Sequence, residues 1–114
     1  MISKVICGCV LLLLATRAYA LEIESYISLR EPKIQPDMDI LNLWVDGMID
    51  GVNATNNTLE AKGRRKLFCR NNITRDLAYM IIDSRLKKIK YKSDSHIDIV
   101  FIEGLMDIFL CPFP

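Results

Sequence analysis

Apolar residues recur at helical spacing in three stretches of this chain. The first predicts a helix over 38–53. Ile40, Leu41, Trp44, Val45, Met48, Ile49 and Val52 form one stripe, and Asp39, Asn42, Asp46, Asp50 and Asn53 fall on the other side. Asp37 or Asp39 can cap it, a carboxylate accepting from the free N–H groups of the first turn. The second stretch predicts a helix over 75–88, with Thr74 as N-cap. Its Leu77, Ala78, Met80, Ile81, Ile82 and Leu86 leave it apolar on nearly all sides, so it packs on more than one side. Arg85, Lys87 and Lys88 crowd its last turn, where cations suit the helix dipole. The third stretch predicts a helix over 95–110, ended by Cys111 and Pro112. Ser95 and Asp98 resemble a capping box at its start.

The intervening segments carry turn chemistry. Residues 21–36 read as a short lead-in, because Pro32 and Pro36 disfavour helix in the residues before them. Residues 53–65 are polar and rich in Asn, Thr and Gly, and read as a loop. Residues 89–95 read as a basic loop. No strand alternation of useful length and no internal repeat is present. The expected fold is all-α: a small helical domain of three main helices plus short extra segments.

Ahead of these helices lies an export signal. Lys4 gives a positive n-region, residues 5–15 are apolar, and Ala18-Tyr19-Ala20 is a small-x-small cleavage site. The apolar run is about eleven residues, well short of the roughly 20 that a membrane-spanning helix needs. Residues 1–20 are therefore expected to be a cleaved signal peptide, leaving no stable membrane anchor. Residues 21–114 form a single domain of 94 residues. Cleavage removes Cys7 and Cys9 and leaves Cys69 and Cys111. An even pair of thiols in an exported chain predicts one structural disulfide in an oxidising compartment. Closing a loop of about 42 residues is worth roughly 4 kcal/mol in the chain-entropy model.

Charge is unevenly placed. Residues 21–61 hold two basic and eight acidic side chains, 62–92 hold eleven basic and two acidic, and 93–114 hold four acidic and none basic. Either these segments neutralise each other on one surface, or the middle segment presents a basic face to an acidic partner. Nucleic acid is excluded as that partner by export and by the lack of interleaved aromatics in the basic segment.

Catalytic chemistry is poorly supplied. His96 is the only histidine, and it sits at the start of the third predicted helix. It reads as a surface or capping residue rather than a general base. With one His and the cysteines oxidised there is no metal set. Asp46 and Asp50 lie one helical turn apart, but a solvated acidic face accounts for them. No phosphate loop or nucleophile motif is present. The expectation is a protein that binds rather than an enzyme, with no catalytic residue, cofactor or metal. Three glycosylation sequons begin at Asn53, Asn56 and Asn72. They matter in a eukaryotic secreted factor and are ordinary loop or capping residues in a bacterial chain.

Gly47 and Gly51 are four residues apart and so lie on one edge of the first helix. Each costs about 1 kcal/mol relative to Ala. Such a pair implies close approach of another helix backbone, or else a marginal helix.

The run Trp44-Val45-Asp46-Gly47-Met48-Ile49-Asp50-Gly51 resembles the Trp-x-x-Gly-x-x-x-Gly helix of the Rap/Tai family of type VI secretion immunity proteins. Leu67-Phe68-Cys69, followed by Ile73-Thr74 and Leu77, is similar to that family's cysteine before a Thr-capped helix. The segment from Ile102-Glu103-Gly104-Leu105 to Phe109-Leu110-Cys111-Pro112 resembles its closing helix and final cysteine. Leu110-Cys111 stands where a Phe-Pro-Cys ending is common, a departure that does not touch the disulfide. The likeness covers about residues 41–112. It implies a periplasmic all-helical protein, often a homodimer, that binds and blocks a toxin, commonly a peptidoglycan amidase. Trp44, Gly47, Gly51 and Gly104 become the helix-packing candidates. The partner-binding candidates are Asn56, Asn57, Arg64, Arg65 and Lys66 in one loop, and Lys88, Lys90 and Lys92 in the other. The alternative function is that of the acid-stress periplasmic chaperones, which share a small helical design with one disulfide.

Overall fold

The computed structural model describes residues 21–31 and 35–113. The expected signal peptide and cleavage site, Cys7, Cys9 and Pro32 lie outside the described residues. Within them the chain forms four helices and no strand: α1 (Ile23–Arg30), α2 (Gln35–Ala61), α3 (Arg75–Lys88) and α4 (Ile97–Ile108). The fold is small and all-α, with one disulfide between Cys69 and Cys111. None of these helices is long and apolar enough to cross a membrane.

Residues 23–30 of the lead-in are helical, which corrects the expectation that the prolines keep this segment out of a helix. Ile23 and Tyr26 lie three apart, both are buried, and Leu29 packs beside them. Eight residues are too few for a helix to stand alone, so α1 is held by this burial. It ends at Glu31, whose extended backbone leads toward Pro32.

The first predicted helix exists but runs much further. α2 spans 27 residues, about 40 Å, and absorbs most of the expected loop 53–65. Leu41, Val45, Ile49, Val52 and Asn56 continue one buried stripe across the expected boundary. Thr55 and Thr58, poor helix formers, donate their hydroxyls to the carbonyls of Gly51 and Ala54 four residues back. The end is set by Gly63 at φ +67°. The Arg64 N–H bonds to Leu59 O at 2.8 Å and the Gly63 N–H to Glu60 O at 3.0 Å. That pair of bonds is a Schellman ending, which satisfies carbonyls the helix leaves free.

α3 begins and ends where the pattern predicts. Thr74 Oγ1 accepts from the Leu77 N–H at 3.2 Å. Ala78, Tyr79, Ile81 and Ile82 are buried, and Arg85, Lys87 and Lys88 occupy the last turn. α4 is shorter than expected at both ends. Its N-cap is His96, not Ser95, and no side chain caps it; Asp98 Oδ1 instead accepts from the neighbouring Ile99 N–H. The start is fixed from outside. Ile97 N–H donates to Leu21 O at 2.8 Å, and Ile23 N–H donates to Ser95 O at 2.9 Å.

The core gathers Tyr26, Leu41, Val45, Phe68, Ile82, Ile97, Val100, Phe101 and Leu105, all under 2% exposed. α3 is central to it through Ala78, Tyr79, Ile81 and Ile82, although Met80 of the expected apolar set is 61% exposed. α3 is also the polar hub. Asp83 receives Tyr26 Oη at 2.6 Å and the Arg30 guanidinium at 3.1 Å from α1. Arg75 forms a two-pronged pair with Asp46 of α2, at 2.9 and 2.6 Å. Arg85 reaches Asp107 at 2.6 Å and Glu103 at 3.2 Å on α4. Each of the other three helices is thus tied to α3 by an arginine–carboxylate bridge.

Candidate functional site

The two groups of partner-binding candidates occupy different surroundings. In the first, Asn56 is not available to a partner. It is 5% exposed on the inner side of α2. Its amide donates to Phe68 O at 2.8 Å and its carbonyl accepts from the Leu67 N–H at 2.8 Å. The side chain therefore stitches the incoming segment 67–68 to the helix, and its place in a sequon is incidental. Asn57, next along the helix, is exposed.

Arg64 and Arg65 follow the Schellman turn and are exposed. Lys66 is half-buried, with Nζ 2.7 Å from Glu60 Oε2. Arg65 is drawn toward the C-terminal tail. Its Nη2 donates to Cys111 O at 2.6 Å, and its guanidinium lies 4.5 Å from the centre of the Phe113 ring. Arg70 stacks over Phe109 at 4.8 Å. Cys69 N–H donates to Phe109 O at 2.7 Å. The Cys69–Cys111 bond closes this arrangement, with Cα atoms 4.9 Å apart, inside the range a disulfide spans. Residues 62–72 and the tail 109–113 therefore form one cross-linked ledge.

Lys88, Lys90 and Lys92 are exposed at the end of α3 and in the following loop. That loop is pinned to the start of α1 by backbone hydrogen bonds from Ile23 and Glu24 to the carbonyls of Ser95 and Ser93. Among the described residues, no hydrogen bond or ion pair joins these lysines to the ledge.

The helix-packing candidates divide. Gly104 is buried on α4, and a Cβ there would fall on Ile81 Cγ2 of α3 and come within 3.1 Å of Arg85 Cδ. Gly47 and Gly51 are exposed, and a Cβ at either meets nothing within 4 Å. This corrects the expected close approach of a second helix of this chain. The buried stripe of α2 passes through Val45, Ile49 and Val52, and the two glycines lie off it. Trp44 is half-buried. With Leu21, Leu43, Gly47, Met48 and Ile97 it lines an open apolar hollow of about 530 Å³.

Asp46 and Asp50 do not act as a pair. Asp46 is committed to Arg75, whose hydrogen bonds hold its carboxyl below the usual range. Among the described residues no group of three or more His, Cys, Asp or Glu side chains could hold a metal ion. His96 lies at the N-cap of α4, exposed, beside Glu22 across an isolated antiparallel bridge.

The tail residues Leu110 and Phe113, 67% and 81% exposed, lie outside the partner-binding candidates. The signal was present: both are apolar, flank the final cysteine and lie beyond the last apolar position of α4.

No protein-family model matches this chain, and no curated protein and no solved structure does either.

Proposed function

We propose that this chain is an exported immunity protein of the Rap/Tai kind. It acts in the periplasm, binds a cognate type VI secretion effector, a peptidoglycan amidase, and blocks its active site. One observation carries this reading. The Trp-x-x-Gly-x-x-x-Gly run, the cysteine before a Thr-capped helix and the final cysteine fall in the family's order, on α2, before α3 and after α4. The two cysteines are bonded to each other and enclose α3 and α4. A cross-linked scaffold presents a surface with little ordering cost on binding, which favours tight inhibition. The test is to co-express the protein with the toxin encoded beside it. Co-elution and loss of peptidoglycan cleavage at equimolar ratio are expected. A toxin that stays active and elutes alone overturns the reading.

A second reading, an acid-opened chaperone, is favoured by the three arginine–carboxylate bridges that tie α1, α2 and α4 to α3. Acid strong enough to protonate Asp46, which Arg75 holds below its usual range, cuts that tie, loosens α2 from α3 and exposes apolar surface for unfolded clients. Light scattering of a model client at low pH tests it. Suppressed aggregation, together with no specific partner at neutral pH, favours the chaperone over the immunity protein.

A further inference from the structure

The described arginines fall into two classes. Arg30, Arg75 and Arg85 each meet a carboxylate of another helix. On the ledge the balance differs. Lys62, Arg64, Arg65 and Arg70 are all exposed, and none has an acidic partner among the described residues; only Lys66 has one, Glu60. Three apolar side chains stand on the same end of the molecule, Ile108, Leu110 and Phe113, at 59%, 67% and 81% exposed. Two of the cations are already arranged against aromatic rings, Arg65 on Phe113 and Arg70 on Phe109. The disulfide and the Arg65–Cys111 hydrogen bond hold the tail in place.

We propose that this ledge is the docking surface for the partner, and that the matching surface is a protein face with carboxylates around an apolar hollow. The proposal rests on the immunity reading for the partner's identity and adds where it binds and what its chemistry is. Charge complementarity selects the occupant. Planar guanidinium groups pair with carboxylates through two parallel hydrogen bonds, and Arg and aromatic residues dominate the energetics of protein interfaces. Leu110 and Phe113 supply the apolar anchors and the cations supply the rim. Because the tail is cross-linked before binding, few side chains are ordered by association. A lipid surface fits less well. The anchors are two or three isolated side chains on a short tail rather than the long apolar face of an interfacial helix.

The experiment uses the protein with its disulfide formed and the toxin encoded beside it. Binding is measured by calorimetry at two salt concentrations for wild type and three variants. These are Arg64→Glu/Arg70→Glu, Leu110→Ser/Phe113→Ser, and the loop control Lys88→Glu/Lys90→Glu/Lys92→Glu. Each ledge variant is expected to weaken binding by about tenfold or more, with an unchanged thermal midpoint. The charge variant should also lose most of the salt dependence. The loop control should bind like wild type. Wild-type binding that only the loop control destroys overturns the ledge and leaves the immunity reading standing. A wild type that ignores the toxin overturns both. Two further outcomes overturn the ledge's assignment to a partner protein. One is sedimentation with phosphatidylglycerol vesicles that the ledge variants abolish, and the other is a self-associated form that they dissolve.

Discussion

Any Cβ built on Gly104 lands on Ile81 Cγ2, so α4 rests on α3 at a point where only glycine fits. Gly104→Ala gains about 1 kcal/mol of helix propensity but forces the two helices apart. Overpacking of this kind costs typically about 1–3 kcal/mol. The expected net result is a lower thermal midpoint. Ile81→Ala, which removes the obstructing methyl, is itself destabilising, yet the double variant should lose less than the sum of the two. A double-mutant cycle by urea denaturation measures that coupling.

Gly51 is the opposite case. Its missing Cβ would meet nothing within 4 Å, and the residue is exposed in mid-helix. Gly51→Ala should therefore stabilise the protein by about 1 kcal/mol. For a domain of this size that is a rise of roughly 4–8 °C in midpoint. The contrast between the two glycines is measurable in one calorimetric series.

Asn56 holds the Leu67 N–H and the Phe68 carbonyl in a buried position. Asn56→Ala leaves both groups without a partner, at about 1–3 kcal/mol each in the mutational range. A clear drop in the urea midpoint is expected. Asn57→Ala, one residue along on the exposed side, should leave it within about 0.5 kcal/mol.

The disulfide closes a loop of sequence separation 42. Its removal by Cys69→Ser/Cys111→Ser should cost about 4 kcal/mol. Although Arg65 still holds the tail, the loss should be accompanied by faster solvent exchange at the residue 69 amide, which in the cross-linked protein donates to Phe109 O. Urea unfolding with and without reductant, followed by amide exchange, checks both parts.

Stability should fall at both ends of the pH scale, for different groups. Burial and the hydrogen bond to Asp83 raise the Tyr26 phenol well above its ordinary 10.0. The folded state keeps a proton that the unfolded chain loses, so this contribution is present below pH 10.0 and lost as pH rises beyond it. Tyr26→Phe should flatten the alkaline limb by about 1.4 kcal/mol per pH unit. Asp46 is held below its ordinary 3.8 by Arg75, so its contribution is present above that pH and lost as pH falls through the lower folded value. Asp46→Asn should flatten the acid limb. Thermal midpoints from acid to alkali, compared with wild type, test both signs.

The bounds of α3 are legible because its end signals are local, although Met80 of the expected apolar set is exposed and Tyr79, outside it, is buried. Thr74 caps it, its last-turn cations mark its end, and its apolar surround announces a central helix. α1 is not, because Pro32 and Pro36 favour extended chain in the residues before them and Ile23, Tyr26 and Leu29 span too few turns to give a periodic signal. The C-terminal third of α2 was hidden by composition. Asn, Thr and Gly favour loops on propensity, and the continuing stripe Val52–Asn56 sustains the helix while the threonine hydroxyls are accommodated by bonding back to carbonyls. Asn56 shows the same failure at the candidate site: a polar residue in a polar run reads as exposed, and only the tertiary partner segment 67–68 buries it. The pairing of Cys69 with Cys111 is readable once Cys7 and Cys9 are assigned to the expected signal peptide, whereas the stacking of Arg65 and Arg70 on tail aromatics is not, since it depends on where that bond places the tail.

The seam between residues 21–24 and 93–97 carries a consequence for the order of assembly. The helical hairpin α3–α4 is fastened at its loop by the earliest described residues, through Leu21 and Ile23, and at its other margin by Cys111. A chain that emerges N-terminus first has the first fastener long before the second. The hairpin cannot lock until residues 97–111 have also emerged. Closure of the hairpin therefore waits on both margins, residues 21–23 at its loop and residue 111 at its far end.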